Sequence, residues 1–580
     1  MADHRRRRRR STKSDGLVNL GDQIGSANES GLAALGEDMD HSGTKRSDRR
    51  KASGPPHRHR VRNVSLIVLS VLLVIAGGGA GYAYYLTRGL KRVDVKGLSN
   101  ALTTGKEQGT ENILMVGSTS RCALTVQNPA YGLCQGSADS APVDGVNSDV
   151  IMILHADPAH HRLALLSIPR DLFIPNARAD GANKVDAGLY EGLTQLVAAI
   201  EEDFGIPIQH AVSLNFDQFA NVVNSLNGIN MSFPISVFDV NSGLNVQAAA
   251  CVHLNGTQAL QVVRARHLQY KTSSSSAVVD SSWPQEAQSD LARIRRDHEF
   301  LRVLATAVAK QGLGNPVTDI SLINSLKADF TFDQSWSVSD MANLVLDFHS
   351  VSINAVPQLT LPVAEVTDPD GQDGDLIYQE SPYGEVEFPS QAQDQRTIDQ
   401  VLGIDSTTDS MTGQPLPAPS SVTVSVMNGT GAFNQATDTA SALSALGFRT
   451  VGVGDVTPTG DVAETVVYYG SHSSATVAAV ESVARSISGA VIMGYDPSQV
   501  VDGAQVTVVT GTQFSINAPT VTPSTGLSTT STTTPSPTTS TTTPNSAIAA
   551  PSSDNTKLQP WDPRACKAGA TPTAPVPNAT

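Results

Sequence analysis

Residues 63–86, NVSLIVLSVLLVIAGGGAGYAYYL, run 24 positions without a charged side chain. A stretch of that length and polarity fits the hydrocarbon of a bilayer, which it crosses with some tilt. Arg58, Arg60 and Arg62 precede it, and Tyr82, Tyr84 and Tyr85 close its far end. Basic flanks stay inside and tyrosines settle at the interface, so the expectation is a single-pass protein of the cell membrane with a cytoplasmic N-terminus. A cleaved signal peptide is the competing reading, disfavoured because the span starts only at residue 63 and its apolar run is too long.

That span divides a chain of 580 residues, too long for one core. Residues 1–62 hold six consecutive arginines, Arg5 to Arg10, and few apolar side chains, so they are expected to form a disordered basic tail. They carry 15 Lys and Arg against 8 Asp and Glu, whereas the rest of the chain sets 25 basic residues against 47 acidic ones. An acidic exterior excludes nucleic acid as its partner, and arginines clustered within it need a reason.

Within that exterior, Asn147–Pro175 reads as two apolar strands, Val150–His155 and Leu163–Ile168, turned at Asp157-Pro158. A hairpin brings Asp149, at the start of the first strand, beside Arg170-Asp171, at the exit of the second. A carboxylate suits a hard divalent cation and a guanidinium fork suits phosphate. The plain alternative is a surface ion pair.

Around it, Asn112–Val116 reads as a strand leading into the loop that ends at Arg121, and Asn183-Lys184 precedes a helix from Asp186 to Phe204. A strand at Ala211–Asn215 and a helix through Phe216, Phe219, Val222, Val223 and Leu226 follow. This alternation predicts an α/β fold, an α+β sandwich with a central mixed sheet flanked by helices. Arg264 and Arg266, two apart in an expected extended segment at Val263–His267, would share a face. Arg293 and Arg296 sit one turn apart on a helix expected over Asp290–Lys310. Singly, such arginines are usually solvated. Five of them in three segments of an acidic domain point to a polyanion site.

Cys122, Cys134, Cys251 and Cys566 all fall on the outer side, where disulfides persist. Cys122 and Cys134 close a short loop and are the first expected pair, although three full pairings are open.

The segments GSTSR, NSDVIMILHADP, LLSIPRDLFIP, ANKVDA, HLNGTQALQVVRARH and DLARIRRDHEFL occur in this order across residues 108–312. Together they resemble the LytR-CpsA-Psr family of cell-wall glycopolymer ligases. The resemblance implies a catalytic domain over 108–400, with an apolar pocket for a polyprenyl chain. It implies transfer of a phosphoglycan, such as arabinogalactan or a teichoic-acid-like polymer, from polyprenyl pyrophosphate to peptidoglycan at the membrane. Arg170, Arg264, Arg266 and Arg293 match the family's pyrophosphate-gripping arginines, Lys184 its basic residue, and Asp149 a Mg2+-associated carboxylate. Arg121 and Arg296 join them as substrate-binding candidates, and Asp171 is the candidate for orienting Arg170 or assisting deprotonation. Thr119 stands where family members commonly have Asp, and Asn147 where they often have Arg, which leaves the cation one charged ligand fewer. Two other readings are a non-catalytic binder of lipid-linked or wall glycan and a transcriptional attenuator. Covalent product formation separates the first from transfer, and an extracytoplasmic location excludes the second.

Residues 401–420, with Pro415, Pro417 and Pro419, read as a linker. Residues 421–515 read as a second, smaller α/β domain, which resembles the LytR C-terminal domain. Its Asn428-Gly429-Thr430-Gly431 loop is either an anion cradle or, more simply, a turn. The Thr/Ser/Pro-rich residues 516–580 are expected to be a disordered tail.

Overall fold

The computed structural model describes residues 90–100, 109–118, 120, 134, 146–247, 250–272, 283–286, 289–311, 330–348, 350–364, 375–378, 381–457, 459, 464–517 and 557–573. The expected basic tail and membrane span, together with Thr119, Arg121 and Cys122, lie outside these residues. Among the described residues no helix is long and apolar enough to cross a membrane.

Seven strands form the main sheet: β1 (Lys91–Val93), β2 (Glu111–Ser118), β3 (Ser148–Asp157), β4 (Arg162–Ser167), β5 (His210–Leu214), β6 (Thr331–Asp333) and β7 (Gln358–Thr360). Their order is β1-β6-β5-β2-β3-β4-β7. Pairing is antiparallel for β2–β3, β3–β4 and β5–β6 and parallel for β1–β6, β2–β5 and β4–β7, so the sheet is mixed. From Val150 to Leu154 the strand β3 is apolar without a break, because both faces of the sheet are covered there. The predicted hairpin is β3–β4, in register from Met152 opposite Ser167 to Asp157 opposite Arg162. Its turn is closed by Asp157, whose Oδ1 accepts from the His160 amide at 3.1 Å. The ladder between β2 and β3 shifts register between Gly117 and Ser118, and this irregularity lies at the end of the sheet that carries Asp149.

One face of the sheet packs on α1 (Leu193–Phe204), through Leu196, Val197, Ile200 and Phe204. A single helix was expected from Asp186, but Gly192, at φ 101°, separates a 3-10 turn over Val185–Glu191 from α1. The other face is roofed by α2 (Phe216–Ser225), α3 (Gly256–Arg264) and α4 (Ser289–Gln311). Both α2 and α3 begin with a reciprocal capping box, Asn215 with Gln218 and Asn255 with Gln258. Each cap contributes about 1 kcal/mol. Gly256 brings α3 hard against α2, since a Cβ there would lie 2.1 Å from the Ala220 carbonyl oxygen. Further along come α5 (Val338–Phe348) and α6 (Gln391–Leu402).

The smaller unit is a five-stranded sheet of β8 (Thr423–Asn428), β9 (Arg449–Asp455), β10 (Thr465–Tyr469), β11 (Val491–Tyr495) and β12 (Val506–Thr510), ordered β9-β8-β12-β10-β11. Two helices, α7 (Gln435–Ala445) and α8 (Ser474–Ala484), pack on it. In its Asn428 loop, Asn428 Oδ1 accepts from the amides of Thr430 at 3.1 Å and Gly431 at 3.0 Å, so those donors are committed to a turn.

Two expectations are corrected. The proline-rich stretch is not a free linker: Asp409 and Ser410 are fully buried, and Ser410 Oγ donates to the Gly205 carbonyl at 2.6 Å. Nor is the whole tail disordered. Residues 557–573 return to the large domain, where Arg564 and Ala565 pair with Ser232 and Met231 and Cys566 is disulfide-bonded to Cys251. Composition hid this strap because its neighbours up to residue 556 are so rich in Thr, Ser and Pro. Cys134 is disulfide-bonded, while Cys122, its expected partner, lies outside the described residues.

Candidate active site

At the end of β3–β4 the predicted carboxylate and guanidinium meet. Arg170 bonds Asp149, and its Nε lies 3.3 Å from Asp171 and 3.5 Å from Asp290. Lys184 reaches Asp171 at 3.1 Å and Arg266 reaches it at 3.2 Å. Arg266 also approaches Asp290 at 3.3 Å. Arg293 projects from α4, donates to the Asp149 carbonyl at 2.5 Å and pairs with Asp290 at 3.1 Å. Four cations from four segments thus converge on a shared set of carboxylates.

The acids around them divide by environment. Burial pushes the Asp171 carboxyl up, but Arg170, Lys184 and Arg266 together hold it below the usual range. Burial also acts on Asp186, which rises to about 6 despite Arg170. Asp297 rises to about 8 through burial against Arg293 and Arg296. Glu387 rises to about 8 through burial and then Asp290 and Asp171. Burial opposes the charge of Arg170, yet Asp149, Asp171 and Asp290 more than offset it and raise that guanidinium's pKa.

Beside the cluster, between the sheet and α2, α3 and α4, lies a cavity of about 280 Å3. Its walls include Met115, Met152, Phe219, Leu260, Phe300 and Leu304, and its polar lining is Ser118, Asp149, Asn215, Arg264 and Asp297. Neither Asp297 carboxyl oxygen has a hydrogen-bond partner. Raised as it is, that carboxyl stays protonated near neutral pH, the form an apolar wall tolerates.

Arg264 and Arg266 do not share a strand face. The chain remains helical through Arg264, whose guanidinium lies 4.7 Å over the Phe216 ring at the cavity, while Arg266 follows the extended Ala265 and turns to the acid cluster. Arg296 is not a substrate-facing arginine: it is fully buried, bonds Glu286 at 2.5 Å and donates to the Ala265 carbonyl. Residues one turn apart on α4 face different partners because the helix is enclosed on several sides, including by the C-terminal strap.

Asp290, Asp297, Asp186 and Glu387 were missed as members of this site. For Asp290 and Asp297 the signal was present, three residues before and four after Arg293 on one helix. Glu387 carried none: it arrives by a backbone bridge to Leu172.

Among the described residues no group of three or more His, Cys, Asp or Glu is arranged to hold a metal ion. Asp149, about a fifth exposed and already shared with Arg170, suits only a cation taking most of its ligands from phosphate and water.

At the ends of β3 and β4, then, a mixed sheet flanked by helices gathers arginines and carboxylates beside an apolar cavity. The chain belongs to the LytR_cpsA_psr family, whose model matches residues 86–387. A second model, described as LytR cell envelope-related transcriptional attenuator, matches residues 421–514. A probable cell wall biosynthesis protein, LcpB of Corynebacterium glutamicum, is 28% identical over 283 residues, 48% of this chain and 60% of its own length. Polyisoprenyl-teichoic acid–peptidoglycan teichoic acid transferase TagU of Bacillus subtilis is 22% identical, over 48% of this chain and 82% of its own. Among solved structures, a LytR-Csp2A-Psr enzyme from Actinomyces oris is 24% identical over 48% of this chain and 89% of that one, with a TM-score of 0.36.

Proposed function

We propose that this protein is an extracytoplasmic phosphotransferase that moves a phosphoglycan from a polyprenyl pyrophosphate carrier to peptidoglycan. The observation that carries the reading is the convergence of Arg170, Arg266, Arg293 and Lys184 beside an apolar cavity that Arg264 and Asp149 also line. Such a site suits a headgroup with several negative charges attached to a hydrocarbon chain. The similarity to TagU, a polyisoprenyl-teichoic acid–peptidoglycan teichoic acid transferase, supports it. The apolar run at 63–86 supports anchoring in the cell membrane with this domain outside.

In the transfer, an acceptor hydroxyl oxygen bonds to the glycan-side phosphorus, the bond from that phosphorus to the bridging oxygen breaks, and polyprenyl phosphate leaves, its freed phosphate oxygen taking up the hydroxyl proton. The arginines exchange carboxylate partners for phosphate oxygens and stabilise the charge that develops on the leaving group. Asp171, held below its usual range, is a poor proton acceptor and serves to aim Arg170, Arg266 and Lys184. Asp149 would hold Mg2+ through one carboxylate, and the ion would supply further neutralisation of phosphate charge. The glycan is left general: arabinogalactan and teichoic-acid-like polymers share this headgroup.

The deciding experiment incubates purified protein with lipid-linked glycan, peptidoglycan and magnesium and looks for a covalent glycan–peptidoglycan product. Tight binding of the lipid without any product under all these conditions would favour a non-catalytic binder instead.

A further inference from the structure

We infer that the groove between the large domain and the smaller C-terminal one binds a neutral glycan strand of the acceptor polymer and delivers its hydroxyl to Lys184. The inference rests on the transfer reading and assigns the second domain a part in it. The groove has a volume of about 630 Å3 and is separate from the apolar cavity. Its lining includes Asn176, Arg178, Asn183 and Tyr383 from the large domain and Tyr495 and Gln499 from the small one.

Its chemistry narrows the ligand. Amide and phenol groups dominate, which suits a hydroxyl-rich molecule and gives a lipid tail or an apolar peptide little to bury. An anion fits poorly: Arg178 is held by Asp180 at 3.3 Å and Glu191 at 3.1 Å, and Asp180 and Asp496 also face the groove. Tyrosine rings offer flat apolar faces to the C–H faces of sugar rings, and side-chain amides meet ring hydroxyls and N-acetyl groups.

The groove is also preorganised and aimed. Asn176 donates to the Tyr495 carbonyl at 2.9 Å and accepts from the Tyr495 amide at 2.8 Å, a reciprocal pair joining the domains. A second hairpin, Phe173–Arg178 with Gly181–Lys184, forms one wall. Its tip, at Ala179 and Asp180, is in the groove, and its other end places Lys184 3.1 Å from Asp171. Three residues of extended chain, about 10 Å, separate Gly181 from Lys184.

The test measures binding of soluble, peptide-free strands of β-1,4-linked N-acetylhexosamine to the full-length protein by calorimetry. Tyr468→Ala, at a tyrosine of β10 that also lines the groove, and Gln499→Ala truncate groove side chains, and Ala179→Trp fills the groove from the hairpin tip. Each is expected to weaken strand binding about tenfold, the scale of one or two lost neutral hydrogen bonds. Each should also raise KM for peptidoglycan while polyprenyl pyrophosphate affinity stays at the parent value. Equal strand binding by parent and all three variants, or no binding to the parent, overturns the assignment. Displacement of the strands by the donor's own glycan overturns it too, in favour of a donor site. Groove-dependent strand binding in a protein that never forms the covalent product would leave this site standing and remove the transfer reading.

Discussion

Helix α4 carries three arginines within four residues, and their fates differ. Arg293 enters the acid cluster beside the cavity, where Asp149, Arg170 and Arg266 remain 19%, 16% and 30% exposed. Arg295 and Arg296 enter a second cluster with Glu286 and Asp562, in which every side chain is at most 6% exposed. Both clusters are networks of guanidinium and carboxylate, so charge alone does not tell them apart. Access does. A phosphate can replace a carboxylate only where the pair can open to it, and the strap over residues 557–573 closes the second cluster. One network is suited to exchange partners, and the other ties α4 to the C-terminal strap.

The largest effect expected from this contrast is at Arg170. Arg170→Ala removes the one cation that Asp149, Asp171 and Asp290 share and a fork offered to phosphate, a loss of about 3 kcal/mol or roughly a hundredfold in transfer rate. Arg170→Lys should recover part of it, because an ammonium cannot span the same oxygens. Exposed Arg449, in the small domain, is the control, and Arg449→Ala should transfer at the parent rate. Parent-like transfer by a folded Arg170→Ala would place the polyanion elsewhere.

Next in size is a change on the closed side. Asp562→Asn removes the partner that bonds Arg295 at 2.6 Å and should destabilise the fold by about 3 kcal/mol, seen as a lower Tm. Transfer at a temperature where the variant remains folded should fall no more than a few-fold. A rate loss as large as that of Arg170→Ala with an unchanged Tm would erase the distinction between the clusters.

Smaller again is the disulfide. Replacing Cys251 and Cys566 by serine should cost about 2 kcal/mol. It should also speed hydrogen exchange at the Ala565 amide, which donates to Glu299 at 3.0 Å. Unchanged exchange there would mean that Trp561, stacked 4.0 Å from Tyr270, and Asp562 hold the strap without it.

How much of this was legible follows the range of the interactions. The β3–β4 hairpin and the meeting of Asp149 with Arg170 were readable because short apolar runs and turn chemistry act locally. The boundary of α3 was misread: an apolar-basic alternation at Val263–His267 imitates a strand, while the helix runs through Arg264. The burial of Arg296 was hidden because one acid that faces it, Asp562, is 266 residues away and reaches it through a strap with no compositional mark. Glu387 likewise joins the site by a backbone bridge that no spacing rule anticipates.

Glu387 also gives the smallest and most selective prediction. The residue is half-buried with Oε2 enclosed and unpartnered, and the loss of water around the carboxyl, then Asp290 and Asp171, raise it to about 8, while Arg266 and Lys184 pull the other way. In the unfolded chain the same group titrates near ~4.3. Between those values the folded state holds one proton that the unfolded chain has released. The stability this provides is therefore fully present below about pH 4.3, declines as pH rises, and is gone above about 8, with a slope of at most ~1.4 kcal/mol per pH unit. Glu387→Gln fixes the neutral form. It should transfer within about twofold of the parent at pH 7, where the parent is still largely protonated, since a neutral side chain replaces a neutral one. In urea melts from pH 6 to pH 9 its midpoint should fall less than the parent's, the difference being the single proton of Glu387. A variant whose midpoint tracks the parent across that range would show that Glu387 is charged in the fold, and the cluster would then hold one more anion than its cations have been assigned.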